Sequence, residues 1–552
     1  MKRFYYLRRN FFSIIMKTIR YFFITLLLII SSIFCLQAQT TTGKEFWLTF
    51  GDNANHPYTV LDLQIRIISG DKPTMVTIHF TNLGTSVTHS MSAQEVWNYS
   101  LDNTQKQAAY TSVMDPNLIS FKSIYITSSE PVSAYALNYY NATCDATNIL
   151  PVTALGTEYY LISYGSFMDY YVLVATKNNT NLYQDETFVV TLDSGQVYYK
   201  YAYNNMTGVH ITTNYPVAFF AVHAGVYIPY YYYSSVSHLM QQLAPVKIWG
   251  KNFFVPSSYF NSDYVRIVVS QNNTTITQTG GIIQTVPGAQ TNLSNLQAGD
   301  FVELAVSDTG CYIKADKPVG VCSFLSSLQS SFPAQCWIPA IEQTVTKVRI
   351  APFIPNNVYP PYLTNHYALV CTPTGTKGNT RVSIGGALPV SLTGGSWIDN
   401  DTAKMSFYTM PLDNPTASYN FTNQAGLFIL GYASGYASSY YYLAGSAMRD
   451  LDAAFYANNV HFQELPDTTF CDKVVNFRAE IENIGVAADS IKWYINGAEY
   501  EQARDLLQWS KPFVTGEYEI KMLVYFENGE TLSKSSTLNV RVFWTKIRNV
   551  RY

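Results

Sequence analysis

The stretch Gly43-Lys44-Glu45-Phe46-Trp47, ending at Phe50, returns as Gly156-Thr157-Glu158-Tyr159-Tyr160, ending at Tyr164, and as Gly250-Lys251-Asn252-Phe253-Phe254, ending at Tyr259. A fourth echo over residues 345–353 has lost the glycine. Self-similarity at a fixed long period means an architecture built of copies, and it constrains the fold more firmly than residue propensity does. The copies start at 43, 156, 250 and 345. Working outward, each start is followed by an alternating strand, at 63–68, 171–176, 264–269 and 367–371, then by a turn and a second alternating stretch such as 75–80, 187–192 or 381–384.

Toward the end of the first three copies stands a Pro-Val step: Pro131-Val132, Pro216-Val217 and Pro318-Val319. Proline at the first position of a strand gives up no ladder hydrogen bond. A second proline, at Pro151, Pro245 and Pro339, precedes the next start. The expected units are 39–155, 156–249, 250–344 and 345–450. At roughly 100 residues each they exceed a propeller blade of about 40–50 and suit β-sandwich-like repeats, with a propeller-like arrangement of the units as the alternative. The longest irregular segments lie between the paired prolines, and in an array of copies such loops gather on one face.

After Met448 the pattern changes. Val475, Phe477, Ala479 and Ile481 alternate, Ile491, Trp493 and Ile495 follow, and Asn496-Gly497 and Asn528-Gly529 mark hairpin turns. Residues 455–545 therefore read as a small Ig-like β-sandwich. The fold class is all-β throughout, in keeping with 45 tyrosines and only 13% charged residues.

At the other end, Lys17 and Arg20 precede an apolar run over 21–34 and then Ala38, the order of a secretory signal peptide over residues 1–38. The run falls short of the roughly 20 residues a spanning helix needs, and no later run is long enough, so the mature chain is expected to carry no transmembrane segment and to be secreted or held at the cell surface. Removing residues 1–38 takes six of the 35 Lys and Arg and none of the 38 Asp and Glu, leaving a net charge near −9. That argues against nucleic acid as a partner.

Six cysteines lie beyond residue 38: Cys144, Cys311, Cys322, Cys336, Cys371 and Cys471. Cys311 and Cys322 flank Asp316-Lys317 symmetrically, so a hairpin there would face them across two strands as a disulfide; buried free thiols are the alternative. There is no CxxC, HExxH, GxSxG, GxxxxGK or EF-hand loop, and no metal site, cofactor or catalytic residue is expected. The histidines, including His79, His89, His210, His223, His238 and His366, are scattered singly, and carboxylates such as Asp193, Asp300 and Asp308 sit beside turns.

Tyrosine is the unusual feature. Tyr227, Tyr230, Tyr231, Tyr232 and Tyr233 crowd one loop, and Tyr440, Tyr441 and Tyr442 occupy the matching place in the fourth copy. Exposed Tyr offers large contact area at small entropic cost, which makes these eight residues candidate ligand contacts. The structural alternative is that they cap the sandwiches or meet a neighbouring repeat.

The glycine starts, the Pro-Val steps and the proline before each new copy together resemble the N-terminal domain of IgGFc-binding proteins, a domain also found in many bacterial secreted chains, here over residues 43–450 and followed by an Ig-like or PKD-like module. The resemblance implies a protein or glycoprotein partner such as immunoglobulin Fc or mucin, an adhesin role at a host surface, and no catalytic residues. The alternative is a structural component of the cell envelope with no host ligand.

Overall fold

The computed structural model describes residues 40–542 except 55, 113–114, 116–117, 141–142, 166–168, 231–235, 329–330, 356–362, 436–437, 449–452, 472, 482–487 and 527–530. The signal segment, Tyr231, Tyr232, Tyr233 and the Asn528-Gly529 turn lie outside the described residues. Strands dominate, and the fold is all-β as expected. No helix among the described residues is long and apolar enough to cross a membrane.

Four sheets share one plan. Each has a long strand at its centre: Ile124–Tyr140, His210–Val226, Cys311–Leu325 and Tyr419–Gly435. The first half of each pairs with the strand that carries the start motif, Thr42–Leu48, Gly156–Tyr160, Gly250–Val255 or Val345–Ile350. The second half pairs on one side with Asp62–Ser69, Asp169–Ala175, Asp263–Val269 or Leu363–Pro373. On its other side lies the last strand of the unit, Thr143–Ile149, Ser237–Gln242, Ala334–Trp337 or Ser439–Gly445. One strand thus serves two layers, and the sheet curls around it into a sandwich-like half-barrel.

The crossing from layer to layer is a large bulge. Glu45 pairs with Thr127 but Gly43 with Val132, so the segment ending in Pro131 drops out of the ladder. The same jump recurs before Val217 and Val319. Proline suits a residue whose N–H has no ladder partner. In the fourth unit Gly426, at φ +98°, takes the proline's place, and a Cβ there would lie 2.3 Å from Thr344 Oγ1. Two of the start glycines have a steric cause as well: a Cβ on Gly43 would lie 2.3 Å from Pro151 Cβ, and one on Gly156 2.4 Å from Pro245 Cβ.

This topology corrects one expectation. Cys311 and Cys322 stand in the same continuous strand, so the segment around Asp316-Lys317 is a bulge and not a hairpin turn. Eleven residues at about 3.3 Å each keep the two far beyond disulfide reach. Both are buried free thiols.

The four units close into a ring. Unit one meets unit two where the Tyr170 hydroxyl donates to Asp52 O at 2.5 Å. Unit two meets unit three through the Arg266 guanidinium, which donates to Ser163 O at 2.7 Å. Unit three meets unit four where Tyr259 N donates to the Tyr432 hydroxyl at 2.9 Å. Unit four returns to unit one, as Arg66 donates to Ala351 O and Pro352 O, and Thr41 N donates to Ser446 O at 3.0 Å. By register, Arg66 and Arg266 occupy the same position of their units, where the second and fourth units have Val172 and Leu369. Arginine therefore seals alternate joints, each time over an aromatic side chain of the preceding unit: Phe353 at 3.9 Å and Tyr164 at 3.9 Å.

Beyond the ring, Ala453–Ala457, Val474–Ile481 and Gln508–Pro512 form one sheet, and Ala488–Ile495, Gly516–Phe526 and Thr531–Val540 another. They enclose a separate core around Phe455, Phe477, Trp493 and Trp509. Asn496 and Gly497 both take positive φ, the geometry of a two-residue hairpin turn.

Candidate functional site

The last strands of the four units line a common axis, and described residues that flank the segments leading into them, among them Thr143, Ile228, Ser327, Phe332 and Ser439, meet on one face of the ring. Ser327 N donates to Ile228 O at 2.6 Å and Phe332 N to Ser439 Oγ at 3.1 Å, which ties the second loop to the third and the third to the fourth. His238 N donates to Thr143 Oγ1 at 2.8 Å, tying the second to the first. The face is one composite surface built from four distant parts of the chain.

Its floor is a buried polar cluster centred on Asp145. One carboxylate oxygen accepts Met240 N at 3.2 Å and Gln335 N at 3.0 Å; the other accepts Tyr441 N at 3.2 Å and Ala146 N at 2.8 Å. A single side chain of the first unit thereby satisfies backbone donors of the other three. Burial drives its pKa well above the usual carboxylate range, against the pull of these four donors. Beside it, burial pushes His223 and His238 down to about 3, so both imidazoles are neutral. His238 Nδ1 donates to His223 O at 3.0 Å, and His223 Nδ1 accepts Gly225 N at 3.1 Å. Among the described residues no three His, Cys, Asp or Glu side chains gather as a metal site.

The candidate tyrosines divide. Tyr227 and Tyr230 are half-buried on the loop face. Tyr440, Tyr441 and Tyr442 are at 1%, 0% and 1% exposure, which removes them as ligand contacts. Their strand lies at the axis, so both of its faces are covered. Tyr440 accepts Phe353 N at 3.2 Å on its hydroxyl, and Tyr442 packs edge-on against Tyr135 of the first unit with centroids 5.2 Å apart. Tyrosine recurs at the joints because its body fills an apolar interface while its hydroxyl caps a carbonyl across it, as Tyr135 does with Ala444 O at 2.5 Å. Sequence reading missed Asp145. The available signal was a carboxylate inside the strand that runs up to Pro151.

One further buried carboxylate gives a pH signature. Asp263 accepts Ser258 N at 2.6 Å through one oxygen, while the other has no hydrogen-bond partner among the described residues. Burial pushes its carboxyl from 3.8 up to about 7. Because the folded value lies above the unfolded one, its contribution to stability is full below 3.8 and is lost as pH rises through about 7. Between about pH 5 and about pH 8 the wild type should lose about 2–3 kcal/mol relative to Asp263→Asn, read from urea unfolding of both at each pH. Parallel curves for the two proteins would show that the carboxyl carries no such load.

The family model described as IgGFc binding protein matches residues 145–431. The human IgGFc-binding protein is 26% identical over 222 residues, which is 36% of this chain and 4% of that protein. The chain thus spans only a small fraction of that relative's length. Among solved structures, the fibronectin(III)-like modules of Clostridium thermocellum CbhA overlap 36% of this chain and 86% of theirs at 8% identity and TM-score 0.12. A Ca2+-stabilised, ice-binding adhesin of an Antarctic bacterium overlaps 91% of this chain and 99% of its own at 10% identity and TM-score 0.12. Scores this low carry no argument about the fold.

Proposed function

The chain belongs to the IgGFc-binding protein family, and we propose that it is an exported, non-catalytic binding protein, secreted or held at the cell surface, whose partner is a protein or glycoprotein. Immunoglobulin G and mucin are the first partners to test, because the human relative is named for binding the Fc part of immunoglobulin G. The observation that carries this reading is that residues flanking the four loops, Thr143, Ile228, Ser327, Phe332 and Ser439, meet on one face over a floor fixed by Asp145. Loops positioned by a rigid scaffold are where recognition is usually placed.

The test is a pull-down with the chain from Gln39 onward as bait, against purified immunoglobulin G, its Fc fragment and mucin. Retention of at least one is expected, and Tyr227→Ser with Tyr230→Ser should weaken it by about tenfold, the effect of losing central aromatic anchors. Retention of none, or retention indifferent to the loop variant, would remove the loop face as the site. Labelling of intact cells with a membrane-impermeant reagent adds an independent check, since a chain out of reach from outside is no adhesin.

A further inference from the structure

Apart from the loop face, the first unit holds a pocket of about 520 Å3. It is walled by residues 56–58, by the turn at Asn82 and Leu83, and by the helix Asn103–Ala109. The volume falls within the roughly 300–1,000 Å3 of small-molecule sites. Its chemistry is mixed in a particular way. Tyr58 and Leu83 supply apolar wall, and Asn82, Thr104 and Gln107 supply amide and hydroxyl groups that make no hydrogen bond to the protein among the described residues.

The charged groups at the pocket are already committed. Lys122 Nζ lies 2.7 Å and 2.8 Å from the two oxygens of Asp115, so ammonium and carboxylate neutralise each other. The floor is fixed as well: the Tyr110 hydroxyl accepts Asn53 N at 2.9 Å, and Ser112 Oγ donates to Asp52 Oδ2 at 2.7 Å. What is left for a ligand is an aromatic and aliphatic wall facing uncharged, solvent-exposed donors and acceptors that no protein group occupies. We propose that this pocket binds a neutral sugar, with Tyr58 packing against the C–H face of the ring and Asn82, Thr104 and Gln107 hydrogen-bonding its hydroxyls. An anionic ligand finds no unpaired Lys or Arg among the described lining residues, and a purely apolar one would offer nothing in place of the water that these amide and hydroxyl groups hold.

This assignment does not depend on the loop face having a partner, and its test contains no partner protein. The chain from Gln39 onward is titrated with glucose, galactose, mannose, N-acetylglucosamine and, as the anionic comparison, N-acetylneuraminic acid, with binding followed by calorimetry and saturation-transfer NMR. At least one neutral sugar should bind saturably with Kd of about 0.1–1 mM. Tyr58→Ala or Gln107→Ala should weaken it by about tenfold, with the thermal midpoint of each variant measured alongside to show that the ring is intact. The proposal is overturned if no neutral sugar binds, if binding is unchanged in both variants, or if N-acetylneuraminic acid binds more tightly than every neutral sugar.

Discussion

Asp145→Ala should cost the ring about 4 kcal/mol or more of unfolding free energy, enough to leave much of the chain unfolded or aggregated on expression. The carboxylate accepts four backbone N–H groups, those of Ala146, Met240, Gln335 and Tyr441, and Asp145 is at 0% exposure. Alanine leaves all four donors without an acceptor where water does not reach, and each buried orphan costs about 1–3 kcal/mol. Asp145→Asn separates the geometry from the charge. It keeps one oxygen but turns an NH2 group toward two donors, so the loss should be about half as large. Urea unfolding followed by intrinsic fluorescence reads both variants. An alanine variant as stable as the wild type would mean that the axis is held by packing alone.

The second large effect is at the joint between units two and three. Arg266 and Glu303 are both fully buried, with Nε 2.8 Å from the carboxylate, and the Tyr164 hydroxyl donates to the same carboxylate at 3.0 Å. The guanidinium also reaches Thr207 Oγ1 at 3.0 Å. Arg266→Leu strands the Glu303 carboxylate in the interior, and removing one partner of a buried pair typically costs about 3–5 kcal/mol. Arg266→Leu combined with Glu303→Leu removes both charges together, and it should recover at least half of that loss. A double variant as unstable as the single one would assign the energy to the other hydrogen bonds of Arg266 and not to the ion pair. Arg66, at the same position of the first unit, bonds to carbonyls and to Asn98 Oδ1 at 2.7 Å, with no carboxylate among these partners. Its replacement by Met should therefore cost less than Arg266→Leu, because no charge is left behind.

The division between what was legible and what was not follows the range of the interactions. Alternation with period two is a property of a few consecutive residues, so the all-β class and the strands after each start could be read from the chain alone. The start glycines and Pro-Val steps could also be located, since a bulge without a ladder N–H and a tight approach to proline restrict residue type locally. The Cys311–Cys322 pairing failed at the same kind of place. Asp316-Lys317 looks like a turn because it is polar within an apolar strand, yet Asp316 Oδ1 accepts Thr275 N at 2.8 Å and Lys317 Nζ donates to Asn272 O at 2.5 Å. Those bonds accommodate a bulge in a continuous strand, and nothing within the segment itself distinguishes the two.

By itself, then, the sequence determined an all-β chain with four marked strand starts and a likeness to one family. Only the tertiary structure decided that Tyr440, Tyr441 and Tyr442 are fully buried while Tyr227 and Tyr230 are half-buried, because burial depends on whether another unit lies against the strand. It also decided the role of Asp145, whose partners Met240, Gln335 and Tyr441 lie 95, 190 and 296 positions away. A carboxylate looks the same in a sequence whether it faces water or three strands, and ring closure is what brings those strands within hydrogen-bonding distance.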